Sequence, residues 1–502
     1  MCAVKIGWAK RDISTTEPVN INGQMYLRIS RGIHDPIMVT ALVLDGGEGQ
    51  DAAIFVSCDV TSIVLDALHA VQEKVPQRNP EIPWKNIVLN ATHTHSSSAT
   101  FNTAEKSPDG RDIYPGAKYR EFYTDQITDA ICEAWENRKE GGIAYGYGYA
   151  VVGHSRRVIY SVDQGAANPL SAAPNGFGVM YGATAKPEFS HYEAGADHFL
   201  NVMFTTDLTG KLTGMVVNVP CPSQISEHFT QLSADYWNEV REGVAAEFGP
   251  DVYVLTQCAA AGDLSPRTLH YKKAQARRME MKYDLPYDPK GAMSQYNKVM
   301  GERKDIAERI LSAVKEVWSW AKKDIQTTPV VRHSVEDVYL SRRMITDAEK
   351  QWCEDNIKQM ESLVPDPATC TPEEYRVARS RFESYRNRNM GAIRRYDEQV
   401  KKPKIDYTIH VTQVGEIAFA TNPFELYMDF MHRIQARSPF IQTFITQLAG
   451  DGGGGYLPTT RGEFNKGYSA SIFCNQVGAE GGQELVEYTL AKLNELKGKD
   501  EV

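Results

Sequence analysis

Long apolar runs are missing from this chain of 502 residues. No stretch approaches the ~20 consecutive apolar residues that a membrane-spanning helix needs. Basic charge is also scarce: 55 Lys and Arg stand against 64 Asp and Glu, a formal net charge of -9. That leaves no electrostatic footprint for nucleic acid. Cysteines number eight (Cys2, Cys58, Cys132, Cys221, Cys258, Cys353, Cys370, Cys474), and none falls in C-x-x-C spacing. The scatter argues against a zinc ribbon or a disulfide scaffold and reads most of them as small buried residues. There is no fixed-period repeat and no low-complexity segment. The run Gly452 to Gly455 lacks the Lys-Ser/Thr of a P-loop and the spacing of a dinucleotide fingerprint. Its glycines suit close backbone approach instead. Met1 to Trp8 has neither the charged nor the apolar region of a signal peptide. The expected location is the cytoplasm, or outside the cell after removal of a leader.

What is present is ordinary for a globular protein, 42% hydrophobic and 24% charged. Strand-like runs at Ile37 to Leu44 and Ala52 to Val56 precede a helical period over Ser62 to Val75. A strand before His93 and a helix over Tyr119 to Arg138 follow. This order predicts an α/β (α+β) fold of layered mixed sheets flanked by helices. Residues 141 to 220 read as β-rich, and Tyr236 to Phe248 as a helix. From Tyr271 to about 400 the composition turns charged and helical, which reads as a solvated or salt-bridged surface. Strands return at Asp406 to Ala420, with helices over Leu426 to Arg437 and Glu484 to Leu496. The expected organisation is one large domain over 1–490 carrying a charged helical insertion at about 271–400, then a tail over 491–502.

The stretch with most chemistry is Asn86-Ile87-Val88-Leu89-Asn90-Ala91-Thr92-His93-Thr94-His95-Ser96. It reads as a buried strand ending at a surface. Histidines at i and i+2 of an extended chain point the same way. Imidazole is the commonest metal ligand and titrates near neutrality, so a ligand and a proton carrier would stand side by side. Taken alone, an H-x-H is more simply a polar loop.

Other stretches give it company. Asn22-Gly23, Gly32-Ile33-His34-Asp35-Pro36, Ala91 to Ser96, Ser155-Arg156-Arg157, Asn218 to Ser223, Ser233-Ala234-Asp235-Tyr236, Gly262 to Pro266, Pro423-Phe424-Glu425 and Gly455 to Thr459 recur in one order. As an ordered set they resemble the catalytic domain of the neutral ceramidase family. That family holds one zinc ion with two histidines, a glutamate and a tyrosine. The resemblance implies that His93 and Glu425 are zinc ligands, that His95 positions or protonates substrate, and that Arg156 lies near the scissile group. The family's second zinc histidine falls where this chain has Cys221-Pro222-Ser223. Thiolate is a strong zinc ligand, so Cys221 is the expected third ligand. The alternatives are an inert Cys221 with His228 reaching in, or a chain that binds metal poorly. The tyrosine ligand falls at Gly453, and Tyr456 matches another family tyrosine. Little chain remains for the family's C-terminal domain, which weakens the case for ceramide as substrate.

The resulting expectation is a zinc (Zn2+) hydrolase of an amide-type C–N bond. Zinc on His93, Cys221 and Glu425 would lower the pKa of bound water toward ~7. Arg156 would stabilise the oxyanion, and His95 would protonate the leaving amine. His34, Tyr456 and the backbone at Gly23 would bind substrate. Plainer readings stand beside these: a surface ion pair for Arg156, a turn histidine for His34, and a helix-terminal carboxylate for Glu425. A sugar-directed hydrolase or lyase is the alternative, with His95 or Tyr456 as the catalytic base of a lyase and Tyr145, Tyr147 or Trp237 stacking on rings. The third reading is a binding protein without catalysis. The expected partner is a small molecule (amide, lipid-like or sugar), and homo-oligomer formation is left open.

Overall fold

Two early strands show why the layers form. In Met38–Asp45 the side chains of Val39, Ala41 and Val43 enter one core, while Leu42 and Leu44 enter another on the opposite face. Ala52–Cys58 repeats the split, with Ile54 and Val56 on the first side and Ala53 and Phe55 on the second. Alternation along a strand thus gives a sheet that is apolar on both faces and needs cover on both.

The computed structural model describes residues 3–165, 176–285, 292–450 and 453–499. Cys2, the start of the glycine loop (Asp451 and Gly452) and residues 500–502 of the expected tail lie outside the described residues. An eight-stranded sheet runs in the order Tyr253–Cys258, Leu212–Val219, Phe199–Asp207, Lys139–Tyr149, Lys5–Asp12, Met38–Asp45, Ala52–Cys58, Ile87–Ala91. Its pairs are antiparallel except the outermost pair at each edge, which are parallel. The two edges approach each other: the Asn90 amide donates to the Thr256 carbonyl (3.0 Å), and the Ser57 and Thr256 hydroxyls lie 2.6 Å apart.

Helices Leu65–Arg78, Gly116–Glu136 and Tyr236–Phe248 cover one face of this sheet, together with Ala292–Ala321. The other face packs on a four-stranded sheet of Val331–Ser341, Lys404–Val414, Ile417–Thr421 and Gln442–Thr446. Phe55, Phe419 and Phe444 form that seam, with ring centroids 4.9 and 4.5 Å apart. Each such buried ring contributes roughly 2 kcal/mol. Helices Met428–Arg437 and Ala479–Gly498 close the far side, with Asp347–Glu361 and Pro372–Glu398 beyond them. The layered α/β architecture expected from the sequence is the one observed.

Details differ. The charged region contains a full strand, Val331–Ser341, whose alternation is blurred because much of it stays half-exposed. The last helix runs to Gly498, across the expected boundary at 490. Among the described residues no helix is long and apolar enough to cross a membrane.

Candidate active site

The parallel strand Ile87–Ala91 ends just before the two histidines. The chain does not stay extended there: His93 has φ of +63°, a left-handed turn that few residues other than glycine adopt. The two imidazoles therefore meet through this turn and not through strand alternation. Their rings stand edge to face with centroids 4.8 Å apart.

Partners fix the protonation of each ring. His93 Nδ1 lies 2.6 Å from the Thr61 carbonyl, which can only accept, so Nδ1 carries a hydrogen. Nε2 is left pointing at Glu425 Oε2 (3.3 Å) and His95 Nε2 (3.3 Å). The Gln224 amide donates to His95 Nε2 at 2.8 Å, which turns the hydrogen-bearing His95 Nδ1 toward Glu227 Oε2, 3.6 Å away. Burial pushes the His95 pKa down to about 4, with Glu227 pulling only partly the other way, so His95 is neutral near pH 7.

Glu425 is not in a helix. It occupies a two-residue strand paired in parallel with Tyr456–Leu457, and Glu425 is directly opposite Tyr456. Burial alone would raise its pKa, but His93, Arg156 and Tyr456 outweigh it and hold the carboxyl down to about 2. The Tyr456 phenol is pushed well above its ordinary pKa by burial and by Glu425, and so stays a donor.

Arg156 is almost wholly buried rather than a surface ion pair. It donates to the Gly262 carbonyl (2.9 Å), faces the Tyr181 and Tyr456 hydroxyls (3.2 and 3.3 Å) and Gln224 Oε1 (3.3 Å), and lies 3.6 Å from Glu425 Oε2. Glu425 and Tyr456 open onto a cavity of about 370 Å³ shared with Asn387, Arg388 and Tyr468. Gly23 packs on the back of His95, where an added Cβ would sit 2.5 Å from the ring.

Cys221 does not join this group. Its thiol faces the carbonyls of Val152 (3.4 Å) and Pro222 (3.6 Å) inside the helix-side core, next to Cys258 and Tyr236. Burial raises its pKa well above the ordinary thiol value, as for a structural core cysteine. His228 is 61% exposed at its side chain and turns to Glu227 instead. The side chain of this turn that does reach the site is Gln224, which the sequence reading missed along with Glu227 and Tyr181. His34 packs edge-on against Phe229 and Tyr296 and faces Asp35, apart from the cluster. Trp237 is fully buried in the core, and Tyr147 lies against Tyr149 and Phe199.

His93 and Glu425 have the spacing of two ligands of one ion. The third is missing: among the described residues no three His, Cys, Asp or Glu side chains are arranged to hold a metal. The expected set of His93, Cys221 and Glu425 does not come together, so the residues present do not fit that zinc site.

A scan against family models gives no match, and a search of curated protein sequences gives none either. Solved structures do match. Neutral ceramidase from Pseudomonas aeruginosa superposes with a TM-score of 0.66 over 99% of this chain and 75% of its own, at 14% identity. A ceramidase complexed with C2 gives 0.64 over 99% and 76%, also at 14% identity. The chain has a neutral ceramidase-like fold. At this identity the likeness carries the fold alone.

Proposed function

We propose that this chain is a hydrolase that cleaves an amide-type C–N bond in a small substrate. The observation that carries the reading is one half-buried carboxylate, Glu425, surrounded by an oriented imidazole, a guanidinium and a neutral phenol at the wall of a cavity. Likeness to the neutral ceramidase fold supports the same class of reaction.

Each residue takes the role its environment suits. His93 Nε2 is the base that removes a proton from water, since Nδ1 is committed to Thr61. Glu425 is too acidic to be that base at neutral pH and instead stabilises the imidazolium that forms 3.3 Å away. Arg156 and the Tyr456 hydroxyl donate to the carbonyl oxygen as negative charge develops on it. His95, 3.3 Å from His93, passes the proton on to the leaving nitrogen. Gln224 and Glu227 hold His95 in the tautomer this needs.

The test is hydrolysis of p-nitroacetanilide by wild type, His93→Gln and Glu425→Gln. Release of p-nitroaniline by wild type and its loss in both variants is expected. Equal release by all three would refute the assignment.

A further inference from the structure

A roomy cavity lies beside the cluster, not in it. It measures about 860 Å³, within the range of ligand sites, and sits between loop 20–27, loop 101–113 and helix Pro372–Glu398. That helix starts at a capping box in which Thr371 and Glu374 bond reciprocally, with Pro372 at its first turn. The buried pair Arg376–Asp109 (2.7 Å) docks it on loop 101–113, and Ser380 Oγ accepts from the Leu27 amide (3.0 Å). Arg379, Glu383 and Asn387 then follow at four-residue spacing on the side that lines the cavity. A stretch whose charges read as a solvated surface thus builds a wall.

The lining says what the cavity takes. Five carboxamides face it: Asn20, Asn22, Gln24, Asn102 and Asn387. Its charges have counter-charges beside them, Arg379 on Glu383 (2.8 Å) and Lys106 on Asp112 (2.7 Å), so a charged ligand has little to select it. Phe101 and Tyr375 add ring faces. Covering these amides with alkyl chains would leave polar groups unpaired, at about 1–3 kcal/mol each. Hydroxyl groups satisfy them, and the flat apolar faces of sugar rings suit the aromatics.

Three links join the cavity to the cluster. Gly23, in the same loop, backs onto His95. Gln24 donates to Glu227 (3.2 Å), the carboxylate facing His95. Asn387 lines both this cavity and the one that holds Glu425 and Tyr456.

We infer that the substrate is an N-acylated amino sugar: its neutral rings occupy the large cavity, and its amide reaches the cluster past Asn387. This rests on the hydrolase reading above and names the substrate class. In the reaction the water oxygen bonds to the carbonyl carbon and the C–N bond breaks. One water proton passes through His93 and His95 to the nitrogen, and the products are a carboxylic acid and the free amino sugar.

The test uses the full chain and calorimetric titration with N,N′-diacetylchitobiose, with cellobiose and micellar N-acetylsphingosine as comparison probes. Binding and deacylation of diacetylchitobiose are expected. Phe101→Ala and Asn387→Ala, both at exposed positions, should each weaken that binding about tenfold, roughly one lost stacking or hydrogen-bonding contact. Their loss should fall mainly on KM and not on kcat, and Tyr339→Ala on a distant strand should leave binding unchanged. No saccharide binding, or a response of N-acetylsphingosine alone to the two variants, would overturn the inference. Either result with p-nitroacetanilide still cleaved leaves the hydrolase reading standing. Cleavage of that anilide by Glu425→Gln at the wild-type rate removes the hydrolase reading, while the calorimetry still decides whether the cavity is a sugar site.

Discussion

Replacing Glu425 by Gln keeps the size of the side chain and removes the charge at the centre of the cluster. His93 then loses the carboxylate 3.3 Å from Nε2 that stabilises its protonated form. Coulomb's law at that separation, with an effective dielectric constant of about 20, gives about 5 kcal/mol. Solvent and the remaining partners return part of this, so kcat should fall roughly 10²- to 10⁴-fold. KM should change little, because Glu425 is assigned to a charge that appears only during reaction. Arg156 keeps the Gly262 carbonyl, Gln224 and two tyrosine hydroxyls, so the fold should survive. The assay is release of p-nitroaniline at saturating anilide, with circular dichroism to confirm folding. A kcat within threefold of wild type would show that this carboxylate takes no part in the reaction.

Cys221→Ala should keep kcat within a fewfold of wild type and lower stability by about 1–2 kcal/mol, the scale of a small core cavity; a loss of activity of several orders of magnitude would restore the thiol as a ligand. Hydrolysis by protein dialysed against EDTA should match that of untreated protein, and a loss that added zinc restores would contradict the roles given to His93 and Glu425. Stability should fall as pH drops from about 6.5 to about 4, because unfolded His95 takes a proton near 6.5 whereas folded His95 resists it down to about 4. His154 and His410 are held down in the same way, so the His95→Gln variant should show a shallower fall than wild type in urea titrations across that range, not a flat one. Gly23→Ala places a methyl 2.5 Å from the His95 ring at φ of +104°, and should lower both kcat and melting temperature.

Much of the layering was legible because a strand buried on both faces reads as a short continuous apolar run, as in Met38–Asp45. The site was legible only in part. Cys221 is instructive: Val217, Val219 and Cys221 all enter the helix-side core, so the period of two carries past the strand end and turns the thiol away from His93. Three residues later that period is lost in a turn, and Gln224 comes round to His95. Nothing local announces this, since the two residues are 129 positions apart. Glu227 and Tyr181 were invisible for the same reason. Glu425 read equally well as the start of a helix because its two-residue strand is too short to show any period.

Water activated at His93 adds across an amide at the wall of the cavity lined by Glu425 and Tyr456. Turnover of an N-acyl substrate in ¹⁸O-labelled water, with mass spectrometry of the released acid, decides this. One labelled oxygen is expected in the acid from wild type, and no acid from His93→Gln. An unlabelled or unsaturated product, or labelled acid formed equally by both proteins, would contradict it.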